Sequence, residues 1–258
     1  MTEGLVHLEM RDAIATITFD RPQERNAMTW AMYARLGELC EQLRKDRSVR
    51  VVMFRGAGGK AFVAGTDIAQ FLDFKSGDDG VAYERQIDVI IGLLESLPMP
   101  TVALVEGWCV GGGLAIATSC DFRLATPDSK FGVPIARTLG NCLSMPSMAR
   151  LAVAFGTQRV KRMLLLAEML AADEGLSCGF LHAIAAPAEL QAQGLALAQK
   201  LSALAPVTQA VTKEGLRRLG AADLAAGEDL ICRTYGSRDF REGVQAFTAK
   251  RPPQWTGE

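Results

Sequence analysis

The sequence predicts an α/β fold, and three observations predict it. Short β-branched runs alternate along the chain with longer segments in which apolar residues recur at helical spacing. One such run, residues 101–105, leads through a glycine turn directly into small residues that tolerate a helix. The length of 258 residues, with 49% hydrophobic and 22% charged residues, suits a large globular domain with a substantial core.

Composition argues against several classes of partner. A net charge of −1 does not favour a nucleic-acid surface. No apolar run approaches the roughly 20 residues of a membrane span, and the first residues lack the basic and apolar regions of a signal peptide. The sequence therefore predicts a cytoplasmic protein with no nucleic-acid partner and no membrane association.

Cysteine and histidine usage predicts no metal site. The six cysteines are scattered without a C-x-x-C pair, and the only histidines are His7 and His182. Reduced thiols that act as small hydrophobic side chains account for this distribution. With only two histidines, the chain offers few candidates for histidine-based catalysis.

A hairpin opens the predicted core. Residues 5–10 and 13–19 alternate apolar and polar side chains on either side of Arg11-Asp12, which is typical of paired strands. From residue 29 to residue 43 the apolar positions recur at helical spacing, and a basic run closes that predicted helix. Residues 49–54 then predict a buried strand.

The next segments predict a loop and an amphipathic helix. Residues 71–80 have a loop-like composition, and we expect mobility there. Residues 81–97 carry an apolar stripe at helical spacing, which ends before Pro98. Three acidic side chains, Glu84, Asp88 and Glu95, fall together along the edge of this stripe.

The second half predicts short strands and many helices. Residues 122–125 predict a strand, a loop starts at residues 131–134, and residues 179–184 predict a last strand-like segment. An alanine- and leucine-rich helical tail follows, of the kind that packs on a core or on another subunit. The predicted helices cover residues 145–155, 158–166, 172–178, 188–204, 207–218 and 224–235.

The glycine stretch between the strand at residues 101–105 and the following helix predicts an anion site. Gly111, Gly112 and Gly113 let another molecule approach the bare backbone. The start of a helix also presents unpaired N–H groups with partial positive charge, so an oxyanion is the natural guest. A simple packing turn is the alternative.

A set of motifs recurs in a fixed order along the chain. They are Asp20-Arg21-Pro22 with Arg25-Asn26-Ala27, residues 62–68 (FVAGTDI), Pro100-Thr101-Val102-Ala103, residues 107–113 (GWCVGGG), Cys120-Asp121, Phe131-Gly132, Gly179-Phe180-Leu181, and Phe247 with Lys250, Arg251, Pro253 and Trp255. In this ordered set the chain resembles the crotonase superfamily, also called the enoyl-CoA hydratase/isomerase family, over essentially its full length.

The resemblance implies a crotonase (ClpP/crotonase-like) spiral of ββα units with two roughly perpendicular sheets. It implies that residues 1–195 form the core that binds a coenzyme A thioester and that residues 196–258 form a helical oligomerisation region. A homotrimer or a hexamer of paired trimers is the implied assembly. The implied ligand is an acyl-CoA thioester, with coenzyme A as part of the substrate and no tightly bound cofactor.

The resemblance also implies the positions of the site residues. The thioester oxygen would be held by the backbone N–H groups of Thr66 and Gly112, which would stabilise a developing enolate. Lys250 and Arg251 could instead form a solvated basic tail. The implied contacts with coenzyme A are the backbone at Ala64, Asp67 and Ile68, the side chain of Arg25 and, from a neighbouring subunit, Phe247 and Lys250.

The chain departs from the family pattern where hydratases carry two glutamates. Such a pair positions water, deprotonates it and protonates the α-carbon. Here the two positions hold Ala115 and Ile135, neither of which can carry a proton. Asp88 is the leading replacement, because counting back from Pro100 it matches the catalytic histidine of a dehalogenase relative. A solvated carboxylate at a helix edge is the alternative.

Further replacements lie in the loop after residue 135 and beside the glycine turn. Arg137, Asn141, Cys142 and Ser144 are polar loop residues that could serve, or could be structural. Glu106 stands where the family usually has asparagine, and its carboxylate could pair with an arginine such as Arg55 or Arg123.

Three functions remain open from the sequence. The chain could be an enoyl-CoA hydratase/isomerase-type enzyme, a lyase or an isomerase, with relocated proton carriers. It could be a decarboxylase or hydrolase of coenzyme A esters, in which the oxyanion site alone supplies much of the stabilisation. It could also bind acyl-CoA without turnover, or act in assembly or RNA contact, although near-neutral charge argues against RNA.

Overall fold

The protein has the α/β architecture that the sequence predicts. The computed structural model describes residues 4–72, 74, 76–220, 238, 239, 242, 246, 249 and 251–258. Within these residues the chain forms a six-stranded sheet and a four-stranded sheet, together with helices that cover them. No helix among the described residues is long and apolar enough to cross a lipid bilayer.

The larger sheet begins with the predicted hairpin. Strands β1 (Leu5–Arg11) and β2 (Ile14–Asp20) pair antiparallel, as the alternating pattern indicates. The remaining strands of the sheet are parallel to their neighbours and follow in the order β3, β5, β7 and β10. Their bounds are β3 Val51–Gly56, β5 Thr101–Val105, β7 Phe122–Ala125 and β10 Ala183–Ile184.

The smaller sheet consists of short strands that the sequence did not reveal. The turn at residues 106–111 contains strand β6, and the loop expected from residue 131 starts with strand β8. Each has three residues, too few for a period-2 pattern to show. The four strands, in sheet order, are β4 Ala61–Ala64, β6 Trp108–Val110, β8 Lys130–Gly132 and β9 Leu170–Ala171.

Helix α2 (Gly77–Glu95) corrects the expectation of a loop over residues 71–80. Its first turn lies inside that segment, because the side chain of Ser76 accepts from the backbone of Asp78 and Asp79 completes a capping box. The cap stabilises a turn that contains two glycines and would otherwise be a poor start for a helix. Helix α1 (Trp30–Lys45) begins behind Thr29, as predicted, and packs against α2.

The remaining helices agree closely with the predicted segments. Their bounds are α3 Gly112–Thr118, α4 Met145–Phe155, α5 Thr157–Leu165, α6 Ala172–Ser177, α7 Pro187–Ser202 and α8 Pro206–Gly220. The helix predicted at residues 224–235 lies outside the described residues. The expected division between residues 195 and 196 falls inside α7, which packs on the larger sheet, and it remains a prediction.

The larger sheet is buried on both faces. Along β3, Val52 and Phe54 belong to the main core with α1 and α2, whereas Val51 and Met53 belong to a second cluster with α7. Successive side chains of a strand point to opposite faces, so a strand covered on both sides must be apolar throughout. The two-sided burial makes this sheet the centre of the fold.

Candidate active site

Two glycine-containing segments lie side by side at the ends of neighbouring strands. Strands β4 and β6 are parallel, and their last residues, Ala64 and Val110, are paired. The chain continues from them as Gly65-Thr66 and Gly111-Gly112. A Cβ built on Gly111 would lie 3.5 Å from the Cα of Gly65, and one built on Gly112 would lie 3.4 Å from Oγ1 of Thr66. The structure thus brings together the two segments that the glycine motifs identified.

The backbone N–H of Thr66 points away from its strand partner. Met28 bridges Thr66 in parallel fashion by donating to the carbonyl of Gly65, and its own carbonyl accepts from the N–H of Asp67. In a parallel bridge the intervening residue directs its own N–H to the opposite side. No acceptor within the described residues takes the N–H of Thr66.

The backbone N–H of Gly112 is also free of a protein acceptor in the described part of the chain. Gly112 is the first residue of α3, and the first bond of that helix runs from the N–H of Ala115 to the carbonyl of Gly111. Gly111 adopts φ 52° and ψ −118°, a conformation that favours glycine. The structure thus places two N–H groups without a protein acceptor in the described residues on adjacent segments.

A chain of three hydroxyl groups supports Thr66. Its Oγ1 lies 2.9 Å from Oη of Tyr33 and 3.0 Å from Oη of Tyr83. Burial raises the pKa of both phenols, so they stay protonated. The three hydroxyl groups carry three hydrogens but form only two hydrogen bonds with one another, so one hydrogen is not used within the chain of hydroxyls. Because Tyr33 is fully buried and must donate to Thr66, the spare hydrogen belongs to Thr66 or Tyr83.

A small cavity extends from Gly112 between α2, α3 and α4. Its volume is about 40 Å³. The wall contains both apolar and polar side chains. Ala115, one of the two positions where hydratases carry glutamate, lies in this wall, whereas Ile135 packs against the main core. The residues that shape the cavity around Gly112 are Tyr83, Glu84, Ala115, Val133, Ser147 and Leu151.

Glu84 lines the cavity, and its carboxylate is held from one side. Its Oε2 accepts a hydrogen bond of 2.9 Å from the backbone N–H of Ser144. Partial burial raises the pKa of the Glu84 carboxyl; the N–H of Ser144 acts in the opposite direction, and the nearby Asp88 carboxylate raises it further. A carboxyl group with a raised pKa beside a cavity is a candidate for proton transfer.

Asp88 lies one helical turn after Glu84, and its carboxylate interacts with other side chains. Its Oδ1 accepts from Oγ of Ser144 at 3.0 Å and from Oγ of Ser147 at 3.4 Å. It also forms an ion pair of 3.3 Å with Arg150, which pairs at 3.0 Å with Glu95. Asp88 is not among the residues that line the cavity. Its predicted role in proton transfer remains a prediction.

The described residues expected to contact coenzyme A lie on the Thr66 segment or, in the case of Arg25, beside it. Arg25 is exposed, and its guanidinium carbon lies 5.8 Å from the ring centre of Trp108. The carbonyl of Arg25 accepts from the N–H of Ala64 at 3.0 Å. Ile68 is 55% exposed. Phe247 and Lys250 lie outside the described residues, and the neighbouring Arg251 pairs with Glu242 at 2.6 Å.

Asp67 fixes the segment that carries Thr66. Its Oδ1 caps the short 3₁₀ helix Ile68–Phe71 by accepting from the N–H of Ala69. Its Oδ2 lies 2.8 Å from Nη2 of Arg21, which is only 4% exposed. The Asp67 side chain therefore anchors this loop to the end of strand β2.

The other polar residues identified from the sequence do not line the cavity. Arg137, Asn141 and Cys142 are exposed on the loop before α4, whereas Ser144 contacts both Glu84 and Asp88. Within the described residues, Glu106 does not form the expected pair with an arginine. Arg55 donates instead to Gln191, and Arg123 donates to backbone carbonyls.

The thiols of the core are inert. Burial raises the pKa of Cys40 and of Cys120 to about 12, so both stay protonated near neutral pH. The cysteines in the described part of the chain are free thiols. No group of three histidine, cysteine, aspartate or glutamate side chains in this part is arranged to hold a metal ion.

The chain matches one protein family over nearly its whole length. Residues 9–258 match the sequence model of the family described as Enoyl-CoA hydratase/isomerase. The chain belongs to the enoyl-CoA hydratase/isomerase family. It is 33% identical to the probable enoyl-CoA hydratase echA6 of Mycobacterium bovis, over 98% of this chain and 100% of that protein. It is 29% identical to the short-chain-enoyl-CoA hydratase of Clostridium acetobutylicum, over 95% of each chain.

Solved structures of family members have the same fold. An enoyl-CoA hydratase/carnithine racemase from Magnetospirillum magneticum is 32% identical, with a TM-score of 0.91 over 100% of this chain and 97% of that chain. The predicted crotonase fold is thereby confirmed. The sequence motifs identified the two glycine segments that adjoin in the structure, but not the neighbouring Tyr33, Tyr83 and Arg150. Nothing in their local patterns distinguishes them from ordinary helical residues.

Proposed function

We propose that this protein is an acyl-CoA enzyme of the enoyl-CoA hydratase/isomerase type, which stabilises a thioester enolate on the N–H groups of Thr66 and Gly112. The observation that carries the proposal is the pair of adjacent N–H groups with no acceptor in the described residues, beside a cavity. Two relatives named as enoyl-CoA hydratases support the substrate class.

The chemistry follows from where negative charge develops. When a proton leaves the α-carbon, the electron pair moves onto the thioester oxygen. Donors already aimed at that oxygen need no reorganisation, and a single donor of this kind contributes about 3–4 kcal/mol in other enzymes. Coenzyme A enters as part of the substrate, with no tightly bound cofactor. Arg25, Ala64, Asp67 and Ile68 would hold it on the open side of Thr66.

The cavity fits a short acyl group. The cavity is small, with a volume of about 40 Å³. The apolar part of its wall, at Ala115, Val133 and Leu151, suits an unsubstituted acyl chain. We therefore expect acyl groups of about four carbons to be preferred over long ones.

Replacing Ala115 with leucine is expected to block the acyl site. Three added carbons would fill much of the cavity, so KM for butyryl- and crotonyl-CoA should rise by about tenfold or more. Free coenzyme A should bind as before, measured by calorimetry. Ala34→Leu, on the exposed face of α1, is the matched control and should change neither quantity. Unchanged KM in Ala115→Leu would show that the acyl group lies elsewhere.

The direct test of the function is exchange of the α-protons of butyryl-CoA in D₂O, followed by mass spectrometry. An enzyme that forms and stabilises the enolate should introduce deuterium at the α-carbon without another reactant. Turnover of crotonyl-CoA and of 3-butenoyl-CoA then separates hydration from isomerisation. If none of these esters binds, the proposed function is ruled out.

Ala115 favours a second candidate, decarboxylation of a malonyl-type ester. Loss of CO₂ generates the enolate directly, so no base is required at that wall. Malonyl-CoA and methylmalonyl-CoA in the same substrate panel test this possibility, and simple hydrolysis would appear as release of free coenzyme A. Binding of esters without any turnover would indicate a carrier of acyl-CoA.

We also propose a homotrimer or a hexamer, located in the cytoplasm. Apolar side chains remain exposed on the last described helix, where Leu216 is 64% and Leu219 is 61% exposed. A second subunit would cover such a surface. Light scattering should give three or six times the chain mass of 27.8 kDa. A monomer would contradict this assembly.

A further inference from the structure

The cavity beside Gly112 contains a carboxylate that the family pattern does not place there. Among the described residues that line it, Glu84 is the only acidic side chain. It reaches the cavity from α2, whereas the positions of the usual glutamates lie on α3 and on the loop after Val133. The inference that follows rests on the proposed function and concerns how protons move in that site.

Glu84 is anchored through one oxygen and open at the other. The backbone N–H of Ser144 donates to Oε2 at 2.9 Å. In the part of the chain that the structure describes, no donor contacts Oε1. A carboxylate held in this way has a fixed orientation and keeps one oxygen available for a proton from a guest in the cavity.

Ser144 connects Glu84 to Asp88. Its N–H holds Glu84, its hydroxyl donates to Asp88 at 3.0 Å, and its Oγ accepts from the N–H of Ser147 to cap α4. Asp88 is also tied to Arg150 at 3.3 Å. Asp88 therefore fixes the residue that fixes Glu84, which makes it a positioning group behind the cavity wall.

The surroundings of Glu84 favour the protonated, neutral form of its carboxyl group more than water does. Asp88 lies on the same helix, and its negative charge opposes ionisation of Glu84. Tyr83 and Tyr33, on the side of Thr66, are neutral phenols. Arg150, the cation in the cavity wall, is shared between Asp88 and Glu95. Burial thus raises the pKa of Glu84 against the pull of one N–H group.

We propose that Glu84 is the catalytic proton carrier of this site and that Asp88 positions it through Ser144. The Glu84 carboxylate removes a proton from the α-carbon of the bound ester. The C–H electron pair moves onto the thioester oxygen, which the N–H groups of Thr66 and Gly112 hold. The resulting carboxylic acid then returns the proton to the same carbon. With a 3-enoyl ester it returns the proton to the γ-carbon, and the double bond moves into conjugation. Neither path needs a further reactant.

The experiment compares Glu84→Gln, Asp88→Asn and the wild-type protein in α-proton exchange of butyryl-CoA and in isomerisation of 3-butenoyl-CoA. The amide introduced by Glu84→Gln can still accept from the N–H of Ser144, so the fold and ester binding should be retained. Exchange should fall by about 100-fold or more in Glu84→Gln. Glu38→Gln, on the exposed face of α1, is the matched control and should leave exchange unchanged.

Two further readouts separate proton transfer from a structural role. Formate should restore part of the exchange in Glu84→Ala, because a small carboxylate can occupy the vacated space. In the wild type, exchange should fall as pH decreases through the raised pKa of Glu84. Asp88→Asn removes a neighbouring negative charge, so its exchange should persist with the acid limb shifted to lower pH.

The outcomes distinguish failure of this inference from failure of the proposed function. If the wild type exchanges no α-proton and binds no ester, the proposed function itself is wrong. If the wild type exchanges and Glu84→Gln does so at the same rate, Glu84 is not the proton carrier. If Asp88→Asn abolishes exchange together with its decrease at low pH, and Glu84→Gln does not, the roles of the two carboxylates are the reverse of those proposed.

Discussion

Replacing Gly112 with alanine is expected to lower α-proton exchange and turnover by about 10²–10³-fold, the effect of losing one oxyanion donor. A Cβ at this position would lie 2.1 Å from Oη of Tyr33 and 3.4 Å from Oγ1 of Thr66. Tyr33 is fully buried, so the backbone of residue 112 must move instead. The N–H then no longer points at the thioester oxygen. Affinity for the ground-state ester should change far less than the rate, measured by calorimetry beside the exchange assay.

Gly92→Ala is the matched control for this prediction. Gly92 lies in α2, and a Cβ there meets no atom within 4 Å. Alanine is the better helix former, so this variant should be slightly more stable and equally active. Exchange at the wild-type rate in a folded Gly112→Ala protein would contradict the role assigned to the Gly112 N–H.

Replacing Arg21 with methionine is expected to lower the free energy of unfolding by about 3 kcal/mol. Arg21 is 4% exposed and pairs at 2.8 Å with Asp67, which is 18% exposed. Arg21 also donates to the carbonyl of Ala27 at 3.2 Å. Removal of the guanidinium leaves a partly buried carboxylate and a carbonyl without this donor, which is the costly way to break an ion pair. Because Asp67 follows Thr66 directly, turnover should fall as well.

Urea unfolding followed by circular dichroism measures the loss of stability. Arg35→Met is the matched control, because Arg35 is 48% exposed and pairs at 2.9 Å with Glu38 on the surface of α1. That variant should lose less than about 0.5 kcal/mol. Equal losses in the free energy of unfolding of the two variants would show that burial does not make the Arg21–Asp67 pair more important for stability than a surface pair.

Much of the fold could be predicted because its elements are long or strongly patterned. The hairpin of β1 and β2, helices α1 and α4, and the strand at Thr101–Val105 were all predicted within a few residues. Strands β6 and β8 could not be, since three-residue strands carry no measurable period. Their existence depends on pairing with β4 and β9, which are distant in sequence.

The start of α2 shows how a local signal can be overlooked. Ser76 and Asp79 form a capping box, which is a sequence-level sign of a helix start. The local composition nevertheless predicts a loop, because glycines stand at positions 77 and 80 with acidic residues between them. In the structure the cap and the packing of the apolar stripe against α1 overcome the low helical propensity of glycine.

The backbone part of the site could be predicted, and the side-chain part could not. Glycine motifs mark Thr66 and Gly112 because the conformation and close approach of the backbone require glycine nearby. Glu84 and Asp88 stand one helical turn apart on the same stripe edge, and no pattern distinguishes them. Only the packing of α2 against α3 and α4 in the structure shows that Glu84 lines the cavity and Asp88 does not.

The carbonyl stretching frequency of a bound thioester tests the central claim most directly. Isotope-edited infrared spectroscopy of butyryl-CoA labelled with ¹³C at the thioester carbon isolates this vibration from those of the protein. Two N–H donors from Thr66 and Gly112 polarise the C=O bond, so the frequency should be lower in the wild-type complex than for the free ester, and the shift should be clearly smaller in Gly112→Ala, which keeps only the Thr66 donor. A bound ester whose carbonyl frequency equals that of the free ester would contradict the assignment of the oxyanion site.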